Sequence, residues 1–411
     1  MHTCKKTGLY IAIIFLTMTC MAAAQDRSCE PSLPAQALAK GNNVFALNIY
    51  NQLRAADGNI FFSPCSIRTA LAMTYAGARG ETAAQMKTAL NFTLDDADLH
   101  AAFAESIRAL NTGGGDNYDM NVANSLWGEK SRALLQTFID INKNSYGGGL
   151  EQVDFINAAE KARLHINAWV EEQTRDKIKN LIPPGGINNN TRLALVNAVY
   201  FKGLWAEQFE KKLTRNESFH HADGTTAHIP LMTFSKPMHV LFFAGDGIKL
   251  IELDYRGNSI SMLILLPDTA DGLLALETRL NEALLNQWLE KLNKQMVSVY
   301  LPRFSMNWGA KNIVPDLQAL GMRDAFAAQA DFSGIDGTRD LLISSVFHKA
   351  FVDVYEEGTE AAAATGVMVG VTSMPLPPEV FRADRPFLFL IREKATGAIL
   401  FMGRLTEPEK N

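Results

Sequence analysis

The sequence predicts an α+β fold, and two features of the 411-residue chain support that prediction. Apolar residues recur at helical spacing through much of the first half, whereas short runs rich in β-branched and aromatic residues dominate from Arg192 onward. Helices gathered before strands are typical of α+β proteins, because a doubly wound sheet would alternate the two regularly. No linker rich in Pro, Gly or Ser divides residues 25–411, so we expect one domain there.

The N-terminus has the pattern of a secretory signal peptide. Lys5 and Lys6 precede an apolar run over 8–18, and Ala22-Ala23-Ala24 supplies a cleavage site, so residues 1–24 are the predicted signal. The apolar run is too short to span a bilayer. We therefore expect a secreted, extracellular protein, or a periplasmic or surface lipoprotein in a bacterium, with Cys20 as the alternative lipidated residue.

Four helices are predicted in the first half of the mature chain. In the first of them, Phe45, Ile49 and Leu53 fall on one face. The second follows a Ser-Pro start, and the other two are amphipathic. These three are predicted over 66–76, 98–110 and 158–174.

Strands and one long helical stretch follow Arg192. The predicted strands cover 193–201, 239–243, 248–253, 260–266 and 297–301. A helical pattern over 273–292 interrupts them. Two short strands, 387–391 and 399–402, close the chain around a turn at 394–397.

Composition and missing motifs exclude several classes of protein. The 39 basic and 44 acidic residues give a net charge of -5, which disfavours nucleic-acid binding. No nucleotide-binding, zinc-protease or hydrolase motif occurs, and His220, His221 and His228 lie in a polar stretch that does not predict a metal site. Four cysteines exclude a disulfide scaffold, and whether Cys29 pairs with Cys65 stays open. We expect no cofactor and no catalytic activity.

The segment 356–380 has the residue pattern of a strand at its start and that of an exposed loop at its end. Gly358, Gly366 and Gly370 argue against a helix across its alanine run. With period 2, small or β-branched side chains fall on one side, which suits a packed sheet. Pro375, Pro377 and the polar residues before them indicate an exposed loop of some twenty residues, a length that is usually functional.

This segment resembles the hinge and reactive-centre loop of a serpin. Five further motifs match in serpin order and extend the resemblance over nearly all of 40–408. They are Asn59–Ile67, Leu195–Trp205, Leu301–Phe304, Asp384–Phe387 and Phe401–Arg404. The resemblance implies one domain with three β-sheets, about nine helices and an exposed reactive-centre loop, in which a protease cleaves the loop and the freed part inserts into the main sheet.

The resemblance also implies a role for individual residues. The hinge comprises Glu356, Gly358, Thr359, Glu360, Ala361, Ala362, Ala363, Ala364 and Thr365. The polar cluster beneath the point where the sheet opens corresponds to Ser63, Ser66, Asn197 and His348. Trp205 and Arg303 correspond to the top of the sheet, where Arg303 and Glu356 are candidates for an ion pair.

The family spacing counted from Glu356 places the cleaved bond at Thr372-Ser373, with Val371 or Met374 as alternatives for the residue that sets specificity. No Lys or Arg occurs from Thr359 to Val380, so trypsin-like enzymes are expected to be poor targets. Elastase- or subtilisin-like serine proteases are the expected targets, with papain-like cysteine proteases as a second possibility.

Two other expectations concern partners. The stretch that corresponds to a heparin-binding helix, 98–110, carries Arg108 against Asp98 and Glu105, so no heparin control is expected. The protein is also expected to be a monomer. The alternative to an inhibitor is a non-inhibitory serpin that acts as a binding protein.

Overall fold

The computed structural model describes residues 30–113, 117–147, 149–358 and 377–408. The predicted signal segment, Cys29, the hinge from Thr359 onward and the predicted cleaved bond lie outside these residues. The pairing of Cys29 and the position of the reactive bond therefore stay predictions.

Ten α-helices form in the described residues, and side-chain caps fix several of their starts. Ser32, Ser63, Asp154 and Asn281 each accept a backbone N–H three residues on, which satisfies one of the unpaired donors of the first turn. The helices are α1 Leu33–Leu53, α2 Pro64–Tyr75, α3 Gly80–Ala89, α4 Asp96–Gly113, α5 Gln136–Tyr146, α6 Phe155–Gln173, α7 Leu273–Arg279, α8 Glu282–Glu290, α9 Val314–Ala319 and α10 Ser333–Asp336.

The main sheet has five strands in the order β11-β12-β4-β2-β3. They are β2 Tyr118–Glu129, β3 Gly149–Val153, β4 Leu193–Gly203, β11 Phe304–Asn312 and β12 Ser345–Val354. Its two central neighbours, β12 and β4, are parallel, whereas β12 pairs antiparallel with β11 and β4 pairs antiparallel with β2.

The remaining ten strands form one hydrogen-bonded sheet whose two parts share β10. One part runs β1-β15-β14-β9-β8-β7-β10, and the other contains β13, β10, β6 and β5. The strands are β1 Ile60–Phe62, β5 Arg215–His220, β6 Thr226–Thr233, β7 Met238–Gly245, β8 Ile248–Asp254, β9 Ile260–Pro267, β10 Asn293–Pro302, β13 Glu379–Arg382, β14 Phe387–Glu393 and β15 Ile399–Leu405. The predicted α+β fold is confirmed, with two of the three expected sheets joined through β10.

Three buried clusters hold these layers together. One joins α1 and α2 to the ten-stranded sheet, and a second, with Phe61, Phe389 and Phe401 stacked at its centre, lies between the two sheets. The third packs α6 and the residues after it onto one face of the five-stranded sheet. Burial of this apolar surface is the main force that fixes the layers.

One predicted element differs in the structure, and several strands were not predicted, of which β2 is the longest. The helical pattern over 273–292 is two helices, because Leu280 is extended and the Asn281 side chain accepts from the Leu284 N–H to start the second helix. Strand β2 was not predicted, since buried and half-buried residues do not alternate along it. Within the described ranges, none of the helices has the length and apolar character needed to cross a membrane.

Candidate functional site

The seam between β12 and β4 is the feature around which the candidate site is built. Eight residue pairs, from Ser345 opposite Ala194 to Val352 opposite Phe201, close it along its length. Beyond the end of β12, the chain continues to Gly358 and leaves the described residues there. A strand that turned back from this end would run antiparallel to both β12 and β4, which would let it pair with both if they separated.

A buried polar network ties the middle of the seam to the helix beneath it. His348 on β12 lies opposite Asn197 on β4, and Asn197 lies opposite Asn124 on β2. The Asn197 amide donates to Ser66 Oγ and to Asn124 Oδ1, while Ser66 Oγ donates to Asn124 Oδ1 at 3.0 Å. Ser63 at the start of α2 donates through Oγ to the Leu400 carbonyl at 2.7 Å.

The predicted cluster of Ser63, Ser66, Asn197 and His348 is therefore brought together in the structure. Asn124 is a fifth member that the sequence interpretation missed. The signal for it was an asparagine flanked by Val122, Ala123 and Leu126 in a segment that had not been assigned to a strand.

His348 is neutral and its tautomer is fixed by its neighbours. The Ser63 N–H donates to Nε2 at 3.2 Å, so Nδ1 carries the proton and donates it to Asn197 Oδ1. The ring is fully buried, and burial lowers the pKa of His348 to about 3. Separation of β12 from β4 has to break the His348–Asn197 hydrogen bond inside this apolar environment.

An aromatic cluster marks the upper end of the seam. Trp205, just after β4, is buried and stacks on Tyr255 with ring centroids 4.5 Å apart. Its indole N–H donates to the Tyr355 carbonyl at 2.9 Å, immediately beyond β12. Trp205 therefore lies at this end of the seam, where its indole N–H links the ends of β4 and β12.

Glu356 is held at the same end by contacts other than the one predicted. Its carboxylate accepts from Thr214 Oγ1 at 2.7 Å, and its carbonyl accepts from the Phe209 N–H at 2.9 Å. The predicted Arg303–Glu356 ion pair does not form in the described part of the chain, where the Glu356 carboxylate bonds Thr214 instead. Lys211 pairs with the next residue, Glu357.

Gly358 is the last described residue before the loop and has no room for a side chain. Its φ is +73°, in the left-handed region that favours glycine. A Cβ there would overlap the Gly203 carbonyl oxygen and the Leu204 Cα. The hinge therefore starts with its backbone pressed against the end of β4.

Helix α6 and the residues after it cover one face of the seam. The Asn167 side chain forms two 2.9 Å hydrogen bonds with the backbone of Ile182, one to its N–H and one to its carbonyl. Lys349 Nζ on β12 donates to the Lys179 carbonyl at 2.9 Å. Phe347 of β12 lies in the same buried cluster as Ile182. The segment 177–187 is thus fixed both to α6 and to β12.

The described residues offer no metal centre: no group of three or more His, Cys, Asp or Glu side chains among them could hold an ion. His221 contacts the Thr406 carbonyl at 3.2 Å, and His228 lies on β6. Cys65, in the first turn of α2, packs against the cluster between the sheets, and burial raises the pKa of its thiol to about 11. A thiol with this pKa is not a reactive nucleophile.

The parallel β12–β4 seam, the polar network beneath it and the aromatic cluster at its upper end are the features that the described residues bring together. Residues 40–408 match the family model of the serpins, described as serine protease inhibitors. The chain belongs to the serpin family.

Known proteins similar to this chain carry serpin names. Serpin B3 from Homo sapiens is 40% identical over 390 residues, which covers 90% of this chain and 99% of that protein. Leukocyte elastase inhibitor from Bos taurus is 42% identical over 379 residues, with the same shares covered.

Solved serpin structures match at the level of the fold. Uncleaved ovalbumin gives a TM-score of 0.82 at 31% identity and covers 90% of this chain and 100% of its own. Serpin48 from Tenebrio molitor gives 0.80 at 34% identity and covers 91% and 99%.

These relatives correct one prediction. Serpin B3, Serpin B4 and leukocyte elastase inhibitor are intracellular serpins of the ovalbumin type, and they point to the cytoplasm. The predicted secreted, extracellular or periplasmic location, including the lipoprotein alternative, is therefore wrong. A basic start followed by an apolar run is a local pattern that does not by itself determine the compartment, and the domain start at residue 25 stays a prediction.

Proposed function

We propose that this serpin traps elastase- or subtilisin-like serine proteases by loop cleavage and strand insertion. The observation that carries the proposal is the parallel β12–β4 seam, closed by eight residue pairs and lying directly before the strand-like segment that starts at Gly358. Cleavage at Thr372-Ser373 would free that segment to turn back and pair with both strands.

The energetics support insertion. A strand that pairs on both sides would gain about a dozen ladder hydrogen bonds beyond those lost from the opened seam; at roughly 1 kcal/mol each, together with valine burial, they would stabilise the inserted state by on the order of 10–20 kcal/mol. That gain is comparable to or larger than the ~5–15 kcal/mol stability of an ordinary domain. It would be enough to deform a protease that is still joined to the loop as an acyl-enzyme.

The target class follows from the side chains next to the bond. A trypsin-like protease needs a cation, and none occurs from Thr359 to Val380. Val371 and Thr372 suit proteases that accept small aliphatic residues. The name of the leukocyte elastase inhibitors, with which this chain shares about two fifths of its residues, supports an elastase-like target.

The deciding experiment is incubation with an elastase, a subtilisin and a papain-like protease, followed by a denaturing gel. We expect a covalent complex that survives SDS with the first two, formed near one to one. Catalytic turnover would indicate a hydrolase, and cleavage without any complex would indicate a non-inhibitory serpin. Mass spectrometry of the released C-terminal peptide locates the bond, which we expect within 371–375.

A hinge variant tests the insertion step itself. Thr359→Arg is expected to convert the inhibitor into a substrate, because a long charged side chain must be buried before the acyl-enzyme hydrolyses. Thr359→Ser is the matched control and should retain complex formation. An equal yield of SDS-stable complex from Thr359→Arg and wild type would refute insertion at this residue.

A further inference from the structure

The lower end of the seam, opposite Trp205, is bridged by contacts that bypass β4. Strand β2 ends at Glu129, whose N–H donates to the Arg192 carbonyl just before β4. The Ser344 N–H, just before β12, donates to the Leu193 carbonyl at 3.0 Å. Strand β2 therefore ends where β4 and β12 begin, and the chain that follows β2 lies near the chain that leads into β12.

Arg132 joins these two stretches of chain by its side chain. Its Nη1 lies 3.3 Å from Asp336 Oδ2, 3.6 Å from Asp340 Oδ2 and 3.2 Å from Thr338 Oγ1. Arg132 follows the end of β2 by three residues, whereas its three partners belong to the segment 336–340, which leads into β12. We call these four residues the lower clasp.

The clasp is preoriented and partly shielded from water. The Asp336 side chain is 2% exposed, and its Oδ1 accepts from the Thr338 N–H and from Thr338 Oγ1, each at 2.8 Å. These bonds leave Asp336 Oδ2 for Arg132, whose own side chain is 25% exposed. Solvent and salt screen such an ion pair less than they screen a fully exposed one.

The clasp has to yield when a strand enters the seam. An inserted strand places β12 one strand spacing, about 4.8 Å, further from β4 and from β2. A shift of that size carries Asp336 beyond hydrogen-bond range of Arg132, unless the chain after β2 moves with β12. That chain is bound on both sides: the Arg132 carbonyl accepts from Gln152 of β3 at 2.6 Å, and the Leu135 N–H donates to the Ile335 carbonyl at 2.8 Å. Contacts are therefore lost whichever way it moves.

We infer that the lower clasp restrains strand insertion and that Arg132 is the positioning residue that sets how fast the seam opens at its lower end. This inference rests on the proposed function, since the restraint matters only if a strand enters between β12 and β4. The clasp acts apart from the polar network at His348 and from the contact of Trp205, which lie at the middle and the upper end of the seam. Loss of the Arg132 side chain removes contacts of the closed state and leaves β12 and β4 unaltered, so it lowers the barrier to insertion.

The test uses a fluorophore-labelled synthetic peptide of residues 359–372 as the entering strand, with its uptake by the intact protein followed by fluorescence anisotropy. We expect Arg132→Met to take up the peptide about tenfold faster than wild type, because loss of one charge-assisted hydrogen bond from the barrier changes a rate by about that factor. Arg132→Lys, which keeps the charge but not the fork of donors, should lie between the two. At about 1 M salt the wild-type rate should approach that of Arg132→Met, since the Debye length falls to about 3 Å.

Arg339→Met is the matched control for loss of an arginine ion pair that does not cross the seam. Arg339 lies in the same segment as the clasp, but its partner at 3.2 Å is Asp331, which also precedes β12. We expect this variant to take up the peptide at the wild-type rate. Asp340→Asn, at a side chain that is 73% exposed, gives a second reading if Arg132→Met melts lower, and should show a smaller acceleration.

The outcomes separate this inference from the proposed function. Equal uptake by wild type and Arg132→Met, or equal acceleration by Arg339→Met, would overturn the inference while the uptake itself still supported insertion. Failure of wild type and every variant to take up the peptide would count against insertion, and therefore against both the inference and the proposed function.

Discussion

At the scale of single residues, one side chain links three strands of the main sheet. The Asn197 side-chain oxygen accepts from His348 on β12. Its amide nitrogen donates one hydrogen to Asn124 on β2 and the other to Ser66 on α2. Both polar ends of this buried amide are satisfied, so the network stabilises the closed seam. Opening the seam leaves buried donors and acceptors unpaired unless they find new partners, and this cost opposes opening before cleavage.

His348 makes the stability of the closed sheet depend on pH. Its folded-state pKa of about 3 lies below the ordinary value of about 6.5, so its contribution is complete above pH 6.5 and is lost as pH falls toward 3. We expect the free energy of unfolding, from urea titrations, to drop by about 3 kcal/mol between pH 6.5 and pH 4 from this group. His348→Gln should be less stable at pH 7 but show a flatter slope. Identical slopes for wild type and His348→Gln would contradict this assignment.

Gly358 offers a second test at the residue scale. Gly358→Ala is expected to lower the free energy of unfolding by about 2–3 kcal/mol, since a left-handed φ costs about 1 kcal/mol and the new methyl displaces the hinge from Gly203. Gly337→Ala is the matched control, because φ there is +82° but nothing lies within 4 Å of the added Cβ. Equal losses in the two variants would show that the close approach at Gly358 contributes nothing.

At the scale of elements, α6 is held over the seam from both of its ends. The buried Glu129 carboxylate on β2 accepts from the Phe155 and Ile156 N–H groups at 2.8 and 3.2 Å, which caps the start of the helix. At the other end, Asn167 fixes the following segment through Ile182. A strand entering between β4 and β12 has to pass beneath this cover, so these bonds oppose insertion.

Asn167→Ala tests that cover. The substitution leaves the buried Ile182 N–H unpaired, and we expect the free energy of unfolding to fall by about 1–3 kcal/mol. Insertion should become faster, which a fluorophore on the loop would report after protease is added. Asn157→Ala is the control, because Asn157 is exposed and its side chain donates to Asp154 at the start of the same helix, away from the Ile182 segment. Unchanged insertion in Asn167→Ala despite the lost stability would mean that the cover does not limit insertion.

Sequence patterns predicted those helices and strands whose own residues carry the characteristic spacing of apolar side chains. The strand-rich second half was recognisable because runs such as β9, buried at every residue, combine apolar and β-branched side chains. Strand β2 was not, because α6 packs on one of its faces while the polar network and the second sheet contact the other, so both faces are partly buried and no apolar–polar alternation marks it. Asn124 was missed with that strand, and Arg303 was predicted to pair with Glu356, whose carboxylate bonds Thr214 instead. Side-chain pairs of this kind depend on contacts between residues far apart in the chain.

At the scale of the whole molecule, the five-stranded sheet is one strand short of its most stable arrangement under the proposed mechanism. The inserted strand would add hydrogen bonds to both β12 and β4 while replacing the eight residue pairs they now share. Under that mechanism, the core has to stay folded while one sheet gains a strand. The packing of the three buried clusters and the polar network at the closed seam would then hold the less stable state until the loop is cleaved.

Cleavage of the loop without a trapped protease should therefore stabilise the molecule. A gain on the order of 10–20 kcal/mol from insertion corresponds, for a chain of this size, to a rise in melting temperature on the order of 20 °C. The measurement is thermal unfolding by circular dichroism, before and after a protease that nicks the loop and is then removed, with Thr359→Arg treated in parallel. We expect a large rise for wild type and a much smaller one for the variant, because a buried arginine on the entering strand blocks pairing at the top of the seam. Equal melting temperatures for intact and nicked wild type would indicate a serpin whose seam stays closed, and would reject insertion while leaving its family membership untouched.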